Sequence, residues 1–381
     1  MKRIKYICYF GSPNLHLNKD YIIASSPKIE YIIDALNRNG FGVDIVSLAD
    51  SNKKGPSIDL FHRYLYKENN TLLYFFSFGW HEYKLWRFIN RTIVRFQFYI
   101  WLLFNTKRNE QILVYHSLIY MQFLKFLGKI KKISIIGEIE EIYTDVQKNS
   151  EKMRASELNF VQSCDKYLFP THLLDKKYNT EGKPSVIIHG LYAPERNRNV
   201  AFNDRKIHVV YAGTFDVRKG GAAAAAAAAA HLPRNFHIHI LGFGKKPDEE
   251  YLRKVINETA QRAEATVTFD GLLKGEDFIQ FLQKCSIGLS TQDPTAAFNS
   301  TSFPSKVLTY LANGLKVVTI DIPAIRQSDV GGHLFYYSQQ TPEEIAKAIL
   351  KASKEEGFDS RELLRELDKK FVSQLSSLLQ C

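Results

Sequence analysis

The feature that most limits how this chain can fold is an alternation, run through twice, of short apolar segments with longer amphipathic ones. In the first pass "IKYICYF" reads as a buried strand that breaks at Gly11-Ser12-Pro13. "SPKIEYIIDALNR" follows, with a Ser-Pro start and apolar residues at Ile29, Ile32, Ile33 and Leu36. It stops at Asn39-Gly40, and a strand resumes at Val43–Leu48. Start and stop signals in these places predict one β-loop-α-β unit. Further strands are expected in "TLLYFFSF", "QILVYHSL", "KISIIGEI" and "KYLFP". Polar residues, Pro and Gly then cluster over residues 182–206, as at a domain boundary. The alternation restarts with "KIHVVYAGTF" and runs through "NFHIHILGFG", "ATVTFDG", "SIGLSTQ" and "KVVTID", with helical patterns between them.

Strands alternating with helices at these lengths predict parallel sheets wrapped on both faces. The expected architecture is α/β, two Rossmann-like doubly wound domains facing a cleft. Residues 1–191 form the first domain and 192–360 the second, with 361–381 a last amphipathic helix that can cross back to the first. Ligands of such sheets bind outside the carboxyl ends of the strands.

Composition narrows the class. The chain has 381 residues, 45% of them hydrophobic and 24% charged, as in a soluble globular protein. Four scattered cysteines form no CxxC pair, which argues against a disulfide framework or zinc site and fits a reducing compartment. The apolar start is too short for a signal peptide, and no run approaches the ~20 residues of a spanning helix. The net charge of +11 is uneven. Residues 1–191 hold 27 Lys and Arg against 18 Asp and Glu, and the remainder 24 against 22. A basic partner surface is therefore expected in the first half.

That surface has a candidate in residues 84–108, where Arg87, Arg91 and Arg95 recur every fourth residue amid Trp86, Phe96, Phe98, Tyr99, Trp101 and Phe104. A basic stripe beside aromatic bulk is the pattern of a helix on an anionic membrane, and also of a core helix with a solvated basic face. No nucleic-acid module pattern accompanies it, so nucleic acid is not an expected partner.

Three loops at strand ends could carry chemistry. "YAGTFDVRKGG" leaves a strand at Gly213, presents Arg218 and Lys219, and enters the next helix through two glycines. Glycines allow close backbone approach and a helix start favours an anion, so a phosphate-bearing ligand suits this loop. "FPSKVLTYLANG" puts Ser305 and Lys306 at a helix start, where a cation opposes the macrodipole and is best explained by a bound anion. "LGFG" gives a GxG at Gly242 and Gly244. In the first half, "GEIEEIY" places Glu138, Glu140 and Glu141 after a strand, as acceptor-side bases or hydrogen-bond acceptors or as a helix-start cluster. His116 ends another strand. The nine alanines Ala222–Ala230 read as the helix behind the Arg218-Lys219 loop, as natural sequence or as alanines standing for other side chains.

Together these segments resemble the GT-B-fold glycosyltransferases, family 4 in particular, of the kind that builds bacterial surface glycans. "GTFDVRKG" is similar to that family's G-R-L-x-x-x-K-G, "LGFG" to L-G-x-G, "VTFDGLL" to V-x-F-x-G, and "FPSKVLTYLANGLKVV" to P-S-K-x-x-E-Y-L-A-x-G-x-P-V-V. The opening unit resembles the glycine loop and G-H-x-V of the acceptor domain. The resemblance implies a cytoplasmic transferase, peripheral at the inner membrane face, that moves a sugar from a UDP- or GDP-linked donor to a lipid-linked glycan with retention of configuration. It implies no cofactor and no metal, and the sequence contains no D-x-D tripeptide. Lys219, Arg218 and Glu138 would be catalytic. Gly11, Gly213, Thr214, Gly242, Gly244, Leu272, Ser305, Lys306 and Thr309 would hold the donor, and His116, Glu140 and Glu141 the acceptor. The chain departs from the pattern at Thr214, where the family has Arg, and at Thr301 and Thr309, where it has glutamates. Those departures leave a second reading open, a degenerate module that binds or activates a partner enzyme.

Overall fold

The computed structural model describes residues 1–11, 18–22, 25–146, 150–216, 221–292 and 302–380. The chain forms two compact units. The first comprises residues 1–170, 174–191 and 370–381, and the second residues 171–173 and 192–369.

The first unit is built on an eight-stranded sheet. Its strands are β1 (Lys2–Cys8), β2 (Phe41–Ser47), β3 (His62–Tyr66), β4 (Asn70–Tyr74), β5 (Gln111–Tyr115), β6 (Ser134–Glu138), β7 (Lys166–Phe169) and β8 (Ser185–Ile187). Their order is β8-β7-β6-β5-β1-β2-β4-β3. All neighbours run parallel except β3, which pairs antiparallel with β4 at the edge. β1, β5 and β6 are near-continuous apolar runs, as strands covered on both faces must be. The covering helices include α1 (Ser26–Arg38), α2 (Lys84–Asn105), α3 (Met121–Lys131) and α4 (Glu151–Ser163). α2 buries a row at every fourth residue: Asn90, bonded to the Phe78 backbone, and Val94, Phe98 and Leu102, in a core with Phe75, Val114, Tyr120 and Leu124. Cys8, set in the apolar first strand, and Cys164 are fully buried residues of this unit.

The second unit is a six-stranded parallel sheet of β9 (Ile207–Phe215), β10 (Phe236–Gly244), β11 (Thr266–Gly271), β12 (Ile287–Ser290), β13 (Lys316–Ile320) and β14 (Phe335–Tyr337). The order is β11-β10-β9-β12-β13-β14, with the chain reversing direction across the sheet beside β9. The alanine tract forms α5 (Gly221–Ala227) and a 3-10 turn over Ala228–His231. Ala225, Ala226, Ala228 and Ala229 are fully buried. The tract touches β9 and β10 and packs against α6 (Lys246–Ala260) and, later in the chain, the helix over Pro342–Ser353. Small side chains let these elements come close, so the absence of a large apolar stripe does not leave the segment unpacked. α7 (Gly275–Lys284) and α8 (Lys306–Ala312) complete the surroundings of the strand ends.

Candidate functional site

The carboxyl ends of β9 and β10 lie side by side with Gly213 opposite Gly242. Gly242 has φ +137°, and a Cβ there would stand 1.8 Å from the Gly213 carbonyl oxygen. Only glycine fits, which explains the first glycine of "LGFG" by close backbone approach. Tyr310 of α8 ties the helix to these ends. Its fully buried hydroxyl accepts from Ala212 N at 2.8 Å and donates to Leu289 O at 3.2 Å. Gly221, opening α5, lets Thr291 approach and donate to its carbonyl at 2.7 Å.

These elements enclose a cleft of about 560 Å³. Gly213, Thr214, Gly242, Leu272, Ser305, Lys306 and Thr309 all line it, so seven of the nine residues expected to hold a donor converge in one place. Lys306 Nζ stands 4.0 Å from the Tyr211 ring centroid and 3.1 Å from where a Gly213 Cβ would be, bringing a cation against bare backbone. Thr309 donates its hydroxyl to Ser305 O at 3.3 Å, which leaves the oxygen's lone pairs as acceptors. Phe243 (52% exposed) and Leu272 (47% exposed) supply an apolar rim, and Phe278 lines the wall. The sequence reading missed Phe243, Phe278 and Tyr310; Phe243 sits between the glycines of a motif it did consider. Arg218, Lys219 and Thr301 lie outside the described residues.

Two expected donor residues stand elsewhere. Gly244 packs on Phe215, whose Cβ would lie 2.8 Å from an added Cβ. Gly11 belongs to the first unit, with the Tyr21 ring directly over it. Both glycines serve packing, and neither lines the cleft.

The first unit has its own cavity of about 450 Å³ at strand ends, lined by Tyr9, Asp20, Asp50, Arg91, Tyr115, His116 and Tyr143 among others. His116 stacks on Tyr143 and lies 3.4 Å from Glu157 Oε1. Burial pushes its pKa below the ordinary histidine value, with Glu157 opposing that shift. Glu157 is itself buried and accepts from Tyr143 N, Thr144 N and Thr144 Oγ1. The sequence reading gave it no role, because a glutamate inside the α4 pattern carries no outward sign of burial. Asp50 is pushed up to about 6 by burial and then by the Asp20 charge, against Arg91. The cavity thus holds a carboxyl group pushed well above the ordinary carboxylate range.

The acidic trio does not line this cavity. Glu138 ends β6 and the strand's alternation turns it inward, where it is 0% exposed and accepts from Tyr6 Oη. Glu140 pairs with Lys28, and Lys28 also donates to Ile188 O at 3.1 Å. Glu141 is pushed up by burial and then by the Glu140 charge. Glu138 is therefore a buried internal acid, not a base facing an acceptor. Burial and then the neighbouring Glu140 charge raise it to about 8.

This shift has a consequence for stability. Between the ordinary value of 4.5 and about 8 the unfolded chain releases the proton that the folded chain keeps. Glu138 therefore costs the fold increasing stability as pH rises through that window, by up to ~1.4 kcal/mol per pH unit. Glu138→Gln is expected to flatten the fall in stability between pH 5.5 and 8, measured as urea midpoints. An unchanged slope would show that Glu138 is ionised in the native protein.

The sequence model of the glycosyl transferases group 1 family matches residues 206–355, which include the glycine-lined cleft. A comparison with curated proteins finds no significant match. Among solved structures, sucrose-phosphate synthase from Thermosynechococcus elongatus is similar over 100% of this chain and 98% of its own, at 14% identity and a TM-score of 0.67. The UDP-forming alpha,alpha-trehalose-phosphate synthase from Burkholderia xenovorans, in complex with glucose-6-phosphate, is similar over 99% of this chain and 98% of its own, at 11% identity and a TM-score of 0.62. Anabaena HepE, in complex with UDP, is similar over 100% of this chain and 98% of its own, at 11% identity and a TM-score of 0.60. The chain has the GT-B fold with two Rossmann-like units, and residues 206–355 are its match to the glycosyl transferases group 1 family.

Proposed function

We propose that this chain is a glycosyltransferase that moves a sugar from a nucleoside-diphosphate donor to a glycan hydroxyl. The observation that carries the reading is the cleft at the ends of β9 and β10. Two backbones stripped of side chains at Gly213 and Gly242, a cation at Lys306 and an apolar rim at Phe243 and Leu272 fit a diphosphate with a base beside it. This cleft lies within the stretch that matches group 1 glycosyl transferases. A UDP complex of one structural neighbour and a UDP-2-fluoro glucose complex of another favour UDP among the nucleotides.

In the proposed reaction the acceptor oxygen bonds to the anomeric carbon, whose bond to the diphosphate oxygen breaks. The nucleoside diphosphate leaves with that electron pair, and the acceptor proton passes to its phosphate oxygen. Attack from the leaving group's side retains configuration, as in family 4. Lys306, with Arg218 and Lys219 from the sequence, neutralises the developing charge, so the proposal invokes no metal.

The acceptor is proposed to be lipid-linked, and the enzyme to work in polysaccharide biosynthesis, peripheral on the cytoplasmic face of a membrane. Among the described residues no helix is long and apolar enough to cross one. The structure revises the expected basic stripe. Arg91 lines the first unit's cavity and pairs with Asp20 at 3.2 Å, and Arg87 and Arg95 are half-buried. α2 exposes Leu85, Phe88, Phe96, Ile100 and Phe104, with Arg91 and Thr92 exposed between them. A cavity edged by Arg91 beside these exposed apolar side chains suits a phosphate carried on a lipid.

The test is titration of the purified chain with UDP, GDP and their sugars by calorimetry, followed by transfer assays with the donor that binds. UDP is expected to bind in the micromolar range and its sugar to be turned over. Binding without turnover on any acceptor would favour the partner-binding module, a reading that Thr309 in the place of a glutamate keeps open. No nucleotide binding at all would refute the proposal.

A further inference from the structure

Both faces of a parallel sheet are ordinarily apolar. One face of the second unit's sheet departs from this at the amino ends of its strands. His208 on β9 lies opposite His237 on β10, and His237 and His239 lie opposite Thr266 and Thr268 on β11. All five residues point to the same side, because paired residues share a face and the alternation has period two. Asp270 closes the group from the end of β11, bonded to Thr268 Oγ1 at 2.8 Å. His208 and His239 are 4% and 3% exposed, whereas His237 is half-exposed.

The ring nitrogens are arranged in a definite order. His208 Nε2 lies 2.7 Å from Asp204 Oδ1, and His239 Nδ1 lies 3.2 Å from Asp270 Oδ2. The other nitrogens of this pair, His208 Nδ1 and His239 Nε2, face each other at 2.9 Å. One nitrogen from each of the three histidines falls within a sphere in which no two are more than 4.8 Å apart. Phe202 lies over the group, stacked on His208 at 3.9 Å and on His239 at 5.1 Å, and Phe281 of α7 meets His239 edge-on. Lys206 stands at the rim and donates to Thr266 Oγ1 at 2.6 Å.

We propose that His208, His237 and His239 form a binding site for a divalent transition-metal ion of the Zn²⁺ type, outside the donor cleft. Two imidazoles that each give one N–H to a carboxylate are left with the other nitrogen as a lone pair, and those lone pairs converge. Carboxylates behind histidines in this way fix the tautomer and raise ligand basicity at metal sites. A proton bridging His208 and His239 would satisfy two nitrogens only. His237 Nε2 lies 3.0 Å from Thr268 Oγ1, and a cation that takes three ligands would gather the third imidazole with the other two. Zn–N bonds of ~2.0–2.1 Å in a tetrahedral site put ligand nitrogens ~3.3 Å apart; the His237 and His239 rings stack at 3.8 Å between centroids, so ligation turns His237 out of that stack towards the other two nitrogens. All-imidazole ligation selects Zn²⁺, Ni²⁺, Co²⁺ or Cu²⁺ over Mg²⁺ or Ca²⁺.

The role this site can play is structural. His208 lies three residues before Tyr211 and His239 two before Leu241, both of which line the cleft, so ~7–10 Å of strand at ~3.3 Å per residue separates the site from it. A bound ion would clamp β9 to β10 and hold Phe202, in the segment that precedes β9, against the sheet. The sequence carried the signal as "KIHVV" followed by "FHIHI". Spacing alone could not show it, because the third ligand comes from another strand.

The test uses the full chain, stripped with chelator and dialysed, then equilibrated with Zn²⁺ or Co²⁺. Bound metal is measured by elemental analysis and by the visible absorption of Co²⁺. One ion per chain is expected, with His239→Ala binding at least tenfold less. Asp270→Asn, which keeps all three ligands, is expected to weaken binding about 10- to 100-fold. His62→Ala, an exposed histidine of the other unit, should bind like the parent. Circular dichroism checks each fold, and Asp270→Asn decides the matter if His239→Ala does not fold. Absence of stoichiometric metal, or equal binding by the parent and Asp270→Asn, would overturn the proposal.

Discussion

Lys306→Ala is expected to lower kcat/KM for the nucleotide sugar about a hundredfold, the scale of removing one preorganised charge-stabilising group. The expectation follows from position. Lys306 opens α8, its Nζ lies against the Tyr211 ring, and it stands 3.1 Å from where a Gly213 Cβ would be, so no Gly213 side chain intervenes. A diphosphate bound over the Gly213 and Gly242 backbones would bring its oxygens to this ammonium. Charge on the leaving phosphate grows as the glycosidic bond breaks, so the lysine stabilises the transition state more than bound donor. The loss should therefore fall mainly on kcat; a rise in KM alone would make Lys306 an anchor of the ground state. The same substitution removes one cation–π contact, about 0.5–1 kcal/mol, so unfolding midpoints separate loss of fold from loss of function. Lys306→Arg, which keeps the charge, should recover part of the activity. Unchanged kcat/KM in Lys306→Ala would remove this residue from the site. The sequence assigns Lys219→Ala a loss of similar size.

The cleft was legible because its requirements are local. A strand that must end beside another backbone needs glycine, and glycine is visible in a string of letters. The sheets were legible for a related reason: β1 and β5, and β9 and β10 outside their histidines, are buried apolar runs. What the sequence did not show depends on direction. Glu138 was rightly placed at the end of a strand, but one step of the alternation decides whether its carboxylate meets solvent or Tyr6. The edge strand β3 pairs on one side only and shows no apolar run. Glu157, Tyr310 and the three histidines owe their roles to partners distant in sequence, and no periodicity reports such a pairing.

Direction also decides the membrane question. Replacing Phe88, Phe96 and Phe104 together by serine is expected to lower partitioning onto vesicles containing anionic lipid about a hundredfold. α2 is 22 residues long, ~33 Å at 1.5 Å per residue. One row of it is buried in the core, and the row of Phe88, Phe96 and Phe104, at 69%, 64% and 78% exposure, faces outward. α3 adds Phe126 and Ile130, 53% and 50% exposed. This many exposed large apolar side chains on two neighbouring stretches of chain is a pattern that marks interaction surfaces. Exposed Lys84, Lys107, Arg108 and Lys129 lie at the ends of these helices, where they could reach lipid headgroups. Each phenylalanine inserted to headgroup depth contributes ~1 kcal/mol, part of the value for full burial, and three give the hundredfold. Arg87→Gln, Arg91→Gln and Arg95→Gln together should change vesicle binding far less, because Arg91 edges the cavity and pairs with Asp20, and Arg87 and Arg95 are half-buried beside the outward row. Co-sedimentation at low and high salt distinguishes the contributions, since the apolar share persists when the charges are screened. Equal binding by the parent and the triple-serine protein would remove α2 as the lipid-facing surface. A larger loss from the arginine set would return that role to the basic stripe.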